Sequence, residues 1–159
     1  MEYRPDKIIV HHSAATLPVP QFDEINQWHK ARDFPLSTLG FYVGYHIVIE
    51  PDGVRRRARL DMERDADALG HNFDSLSVCL VGNFDKSDPT AAQVAALGAQ
   101  LSEWCALWKL GPGEIHPHRK VGATKCPGSR LSNNWAALVF LKFELERILK
   151  MIRALRATV

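Results

Sequence analysis

Apolar positions along the chain change period from segment to segment, and the changes outline its elements. In "KIIVHH" the unbroken β-branched run Ile8, Ile9 and Val10 predicts a short buried strand, which "SAATLPVP" then ends. His11 and His12 close that strand on opposite faces. From Pro20 to about Arg32, Phe22, Ile25 and Trp28 recur at helical spacing, predicting an amphipathic helix on which His29 is partly exposed and without a functional role. "FPLSTLGFYVG" returns to loop. "YHIVIEPDGVRRRARL" predicts a hairpin: an apolar strand from Tyr45 to Ile49, a Pro-Asp-Gly turn and an alternating return strand, with His46 packed in the core. "SLSVCLVG" predicts another strand, ended by Gly82. Thr90 followed three residues later by Gln93 reads as a capping box, opening a helix that carries Val94, Leu97, Leu101, Cys105 and Trp108 on one side and stops near Gly111. "EIHPH" predicts a last short strand, where Pro117 lets one of His116 and His118 aim inward while the other faces water; a final helix runs from about Trp135 nearly to the end. Strands interleaved with helices predict a single α/β domain, a central mixed β-sheet flanked by helices.

Composition narrows the function classes. A chain of 159 residues, 46% hydrophobic and 24% charged, is large enough to bury one core, and no internal repeat divides it. The formal net charge of +2 is too small for a nucleic-acid partner to be expected, and the charge-rich "VRRRARLDMER" mixes both signs as a solvated hairpin does. No apolar leader precedes the first strand and no apolar run approaches the roughly 18 residues of a membrane span, so the expected product is soluble and made in the cytoplasm without a signal peptide. In the segment "LVFLKFELERILKMIRALRATV", Leu138, Leu141, Leu145, Ile148, Ile152 and Leu155 form an apolar stripe among Lys142, Arg147, Lys150, Arg153 and Arg156. Two expectations follow, packing onto the sheet or weak contact with anionic membrane lipid.

The cysteines differ in setting. Cys79 and Cys105 sit in apolar surroundings as buried thiols, whereas Cys126, between Lys125 and Pro127-Gly128, is presented in a polar turn where a thiolate can bind a metal. A catalytic zinc site wants three protein ligands and an open position, with neutral imidazole and thiolate as natural donors. In "HRKVGATKCPG" a turn-forming segment separates His118 from Cys126, short enough for both ends to reach one ion, and a strand end such as His11 or His12 would supply the third ligand.

With "IIVHHSAA", "INQWHKAR", "GYHIVIEPDG", "HNFDSLSVCLVGNF" and "HRKVGATKCPG" occurring in that order, the chain resembles the zinc-dependent N-acetylmuramoyl-L-alanine amidases, a family that takes in phage lysozymes and the animal peptidoglycan recognition proteins. The resemblance implies zinc held by His11, His118 and Cys126, with Tyr45 beside the reacting water. His12 falls where the family has no ligand. Two residues before the cysteine, phage members carry lysine and catalytic recognition proteins threonine; here Thr124 stands there, Lys125 follows it, and Thr124 has the better register to assist catalysis. Family members commonly line the groove with a histidine three residues before the glycine of "GYN"; here that position is Asp67, and "GHN" puts His71 in place of the aromatic, next to Asn72, so Asp67, His71 and Asn72 are the expected substrate contacts.

What the resemblance implies is hydrolysis of the amide between N-acetylmuramic acid and the L-alanine of the peptidoglycan stem, with water as nucleophile and no covalent enzyme intermediate. Residues 1–134 would form the catalytic domain and 135–159 a C-terminal amphipathic helix packed on it, in a protein expected to act as a monomer. Absence of a leader fits a phage or prophage endolysin that reaches the wall after release. A non-catalytic peptidoglycan-binding module and an intracellular wall-recycling amidase are the alternatives; a nucleobase deaminase is disfavoured because its His-x-Glu and paired-cysteine signatures are missing.

Overall fold

The computed structural model describes residues 3–16 and 21–157. Its elements are β1 (Lys7–His12), α1 (Phe22–Lys30), β2 (Ile47–Ile49), β3 (Arg55–Arg57), β4 (Ser75–Leu80), α2 (Ala91–Trp108), β5 (Ile115–Pro117), α3 (His118–Val121) and α4 (Trp135–Arg156). Pro20, where the first helix was expected to open, lies outside the described residues. The strands form one mixed sheet in the order β3-β2-β4-β1-β5, with β2 and β3 antiparallel and the other pairs parallel. The central strands β1, β2 and β4 are buried on both faces, as their unbroken apolar runs require.

Each face of the sheet has its own core. Ile8, Val10, Ile47, Ile49, Leu76, Val78 and Leu80 pack against Leu97, Leu101 and Trp104 of α2, while Val48, Cys79 and Val81 pack against Phe22 and Ile25 of α1. Two polar side chains tie helix ends to strand ends. The Glu50 carboxylate, 2% exposed just past β2, accepts the amides of Gln21 (2.9 Å) and Phe22 (3.0 Å) and so caps α1 from a distance in sequence. At α2 the Thr90–Gln93 capping box is in place, and the Gln93 side-chain amide donates to the carbonyls of Val81 (2.8 Å) and Ile49 (3.3 Å). The helix stops two residues before Gly111, at Lys109, which takes the left-handed conformation at φ 57°.

Three expectations are corrected. The hairpin strands are only three residues each, because before Ile47 the regular pairing gives way, the His46 amide donating to the Ser77 carbonyl and its carbonyl accepting the amides of both Ala58 and Arg59, and the charged return stretch is not uniformly solvated. Arg59 is 1% exposed, its guanidinium donating to the carbonyls of Val43, Arg64 and Pro35. The last helix packs mainly on α2, where Phe143 closes against Gly98; a Cβ at Gly98 would lie 2.9 Å from Phe143 Cβ. Only its first turns, through Trp135, Ala136, Val139 and Phe140, join the core, and the stripe expected to pack on the sheet is exposed, with Leu145 at 56% and Ile148 at 43%.

Candidate metal centre

Strand register brings the histidines together. β1 and β5 are parallel with Val10 opposite Pro117, so the next pair along is His11 and His118, whose ring centroids are 4.4 Å apart. On its other side His11 is paired with Cys79 of β4. Cys126 is returned to this edge by a tied loop: the Arg119 amide donates to the Cys126 carbonyl (2.9 Å), and its guanidinium to the carbonyls of Gly128 (2.7 Å) and Leu131 (3.0 Å). The loop lies on residues 84 and 85, where the Ser129 amide donates to Asp85 (2.7 Å) and a Cβ at position 128 would sit 2.4 Å from the Phe84 carbonyl carbon. With φ +109° as well, position 128 accepts only glycine without rearrangement.

One ligand atom each from His11, His118 and Cys126 lies within 4.8 Å of the others, and His11 Nδ1 is 3.7 Å from Cys126 Sγ. Nitrogen and sulfur donors on tetrahedral zinc are separated by roughly 3.6 Å, from bond lengths of about 2.0–2.1 and 2.3 Å. Burial lowers the pKa of His11 to about 3 and of His118 to about 4, the latter with help from His11, so both imidazoles are neutral at pH 7 with a lone pair to give. Burial also pushes the Cys126 thiol up to about 12, opposed by the His12 amide, which donates to Sγ at 3.4 Å, and by the Arg119 charge. A thiolate there needs a cation beside it, which this donor set is suited to hold.

Asp67 is the surprise of the site. Its side chain is fully buried and its Oδ2 contacts His11 Nε2, the nitrogen turned away from Cys126. Instead of lining a groove, as the sequence led us to expect, it lies behind a prospective ligand, because the 67–68 amides fold back onto the Asn72 side-chain oxygen (3.3 and 3.2 Å). That contact commits the Asn72 carbonyl to the loop. His71 is half-buried with Nδ1 3.5 Å from Asp74. Asp65 sits beside Asp67; burial and the Asp67 charge drive its carboxyl well up, so Asp65 retains a proton while Asp67 faces the imidazole.

Tyr45 enters from the segment before β2, its ring 5.0 Å from His11 and 5.5 Å from His29. Burial, then the nearby Cys79 and Cys126, hold its phenol well above the usual pKa, making it a neutral donor and no base. The Thr124 hydroxyl accepts the Cys126 amide (3.1 Å), placing it inside the cysteine turn. Thr124 and Lys125 are both exposed and border one hollow together with Asp85, Arg119 and Ser129.

The other histidines divide. His12 accepts the Phe84 amide at Nδ1 (3.2 Å) and stands outside the donor cluster. His46 is a core histidine, between Ser77 and the Glu63 carbonyl (2.9 Å). His116 and His118 are both half-buried, but they face different surroundings, His118 toward His11 and His116 toward Lys120 (3.1 Å). His29 is buried rather than exposed, accepting the Gly44 amide at Nδ1 (2.9 Å) because α1 turns that side onto the Tyr45 segment.

Known proteins share this architecture. The sequence profile described as N-acetylmuramoyl-L-alanine amidase matches residues 1–129. The endolysin of Escherichia phage T7 is 35% identical over 137 residues, covering 82% of this chain and 85% of the phage protein. Peptidoglycan-recognition protein SC2 of Drosophila melanogaster is 28% identical over 137 residues, covering 81% and 74%. Among solved structures, the N-acetylmuramoyl-L-alanine amidase LysC from Clostridium intestinale URNW superposes with a TM-score of 0.70 at 26% identity, over 80% of this chain and 79% of that one.

Proposed function

The chain belongs to the N-acetylmuramoyl-L-alanine amidase family, and from that premise we propose that it is a zinc-dependent endolysin that hydrolyses the amide between N-acetylmuramic acid and L-alanine in peptidoglycan. The observation that carries the reading is the convergence of two imidazoles and one thiol, from His11, His118 and Cys126, at one sheet edge. A zinc ion held there would acidify water and polarise the scissile carbonyl. The residues around it do the rest. Asp67 fixes the ring of His11 from behind, and the His12 amide and the Arg119 charge favour thiolate at Cys126. Tyr45, kept protonated, donates to the oxyanion as it develops, and Thr124, in the turn of the cysteine, offers a second polar contact in preference to Lys125.

Similarity to phage endolysins supports a wall substrate met after release from the cell. We assign the chemistry to residues 1–134, which contain every residue of the site. A binding module without catalysis would have no use for Cys126 in the cluster, and its presence favours the enzyme. The test is mass spectrometry of purified peptidoglycan after incubation: the protein should release peptides headed by free L-alanine from intact glycan, and Cys126→Ser should release none. Peptide release by a zinc-free Cys126→Ser protein would sink the reading.

A further inference from the structure

Beyond the site, the feature without a use is the far half of α4. From residue 145 to 157 every described residue is exposed, including Leu145, Ile148, Leu149, Met151 and Ile152 at 41–56%. Helical geometry, about 100° per residue, gathers these five on one side. The side opposite carries Ala136, Phe140 and Phe143 in the early turns, where α4 meets α2 and the core, and continues outward as Arg147, Lys150 and Ala154. The apolar side therefore faces away from the body of the protein, so a flat surface can reach it without meeting the domain. Over about 20 Å of helix, residues 145–157 hold four basic side chains, Arg147, Lys150, Arg153 and Arg156, against one acidic, Glu146, a net +3. α4 also begins after the last residue matched by the family profile, 129.

We propose that the 145–157 segment of α4 is an interfacial helix that lays Leu145, Ile148, Leu149, Met151 and Ile152 into the surface of an anionic phospholipid bilayer. Charge selects this occupant over a second copy of the chain. The 3-4-3-4 spacing of Leu138, Leu141, Leu145, Ile148 and Ile152 would suit a coiled coil, but the positions flanking that seam are Lys142, Leu149 and Arg156 on one side and Glu144 and Met151 on the other. They offer no ladder of opposite charges between two copies, parallel copies would set the +3 ends side by side, and Leu149 and Met151 widen the apolar face beyond a two-stranded seam. An apolar arc with Arg153 and Arg156 beside it, in a segment of net +3, is what an anionic interface binds. No helix among the described residues is long and apolar enough to cross a membrane, so the contact is at the surface.

The experiment is co-flotation of the full chain with vesicles of phosphatidylcholine alone or mixed with phosphatidylglycerol, beside sedimentation velocity without lipid. Binding should be at least roughly tenfold tighter to the phosphatidylglycerol vesicles and weaken with salt. A Leu145→Asp/Ile152→Asp variant should lose flotation while keeping its thermal midpoint and its hydrolysis of soluble wall fragments. If those aspartates disturb folding, Arg153→Glu/Arg156→Glu provides the same reading from the charge side. No flotation of the wild type, flotation indifferent to lipid charge, or a dimer that needs Leu145 and Ile152 and excludes lipid would overturn the proposal.

Discussion

The buried Asp67 carboxylate contacts Nε2 of His11 on the side of the ring away from Cys126, which Nδ1 faces. A carboxylate behind a metal-binding histidine typically contributes about 10–100-fold in metal affinity or activity. Asp67→Asn should therefore weaken zinc binding by roughly that factor, measured by competition with a chromophoric chelator; unchanged zinc affinity with a raised KM would return Asp67 to the groove. Tyr45→Phe makes a contrasting prediction, zinc retained and turnover lowered by roughly two orders of magnitude, since a single oxyanion donor is worth about that much. At this scale the sequence named the residues that the fold brings together: His11, His118 and Cys126 form one group of potential donors, with His12 outside it. Asp67 was misread because its role depends on Asn72 folding the 67–72 loop inward, a contact between side chain and main chain that leaves no periodic trace. His29 was misread for a similar reason, its face of α1 being covered by a loop whose path the helix cannot announce.

Elements were predictable where one segment carries its own signal. The capping box of α2 is local and formed as read, the β-branched run marks β1, and the apolar stretch ended by Gly82 marks β4. The start of α1 is different, since its end is capped by Glu50, a residue nearly thirty positions away that no local rule connects to it. Glu50→Ala would leave two amides at a buried helix end without an acceptor, costing about 1–3 kcal/mol. The thermal midpoint should fall by roughly 2–12 °C, at about 2–4 °C per kcal/mol for a domain of this size; no shift in a calorimetric scan would mean solvent or Gln21 replaces the cap. The stripe on α4 was visible as a pattern, yet which way it faces depends on the Gly98–Phe143 contact, and that contact turns it outward.

For the molecule as a whole, two parallel strand pairings place the site. β4, β1 and β5 set Cys79, His11 and His118 side by side, and the loop pinned by Arg119 and Gly128 returns Cys126 to them, so residues far apart in sequence meet without a dedicated metal-binding motif. Two short hydrophobic strands and a turn of eleven residues thus become one donor set only when the sheet is assembled. This set is proposed to hold zinc, and the zinc-loaded protein to cleave the lactyl–L-alanine amide. The most direct test is product mass spectrometry on purified peptidoglycan with protein stripped by chelator, then reloaded with zinc and with its metal content measured. L-alanine-headed peptides should vanish on stripping and return as bound zinc approaches one per chain, whereas undiminished release from metal-free protein, or one-to-one zinc without any release, would contradict the account.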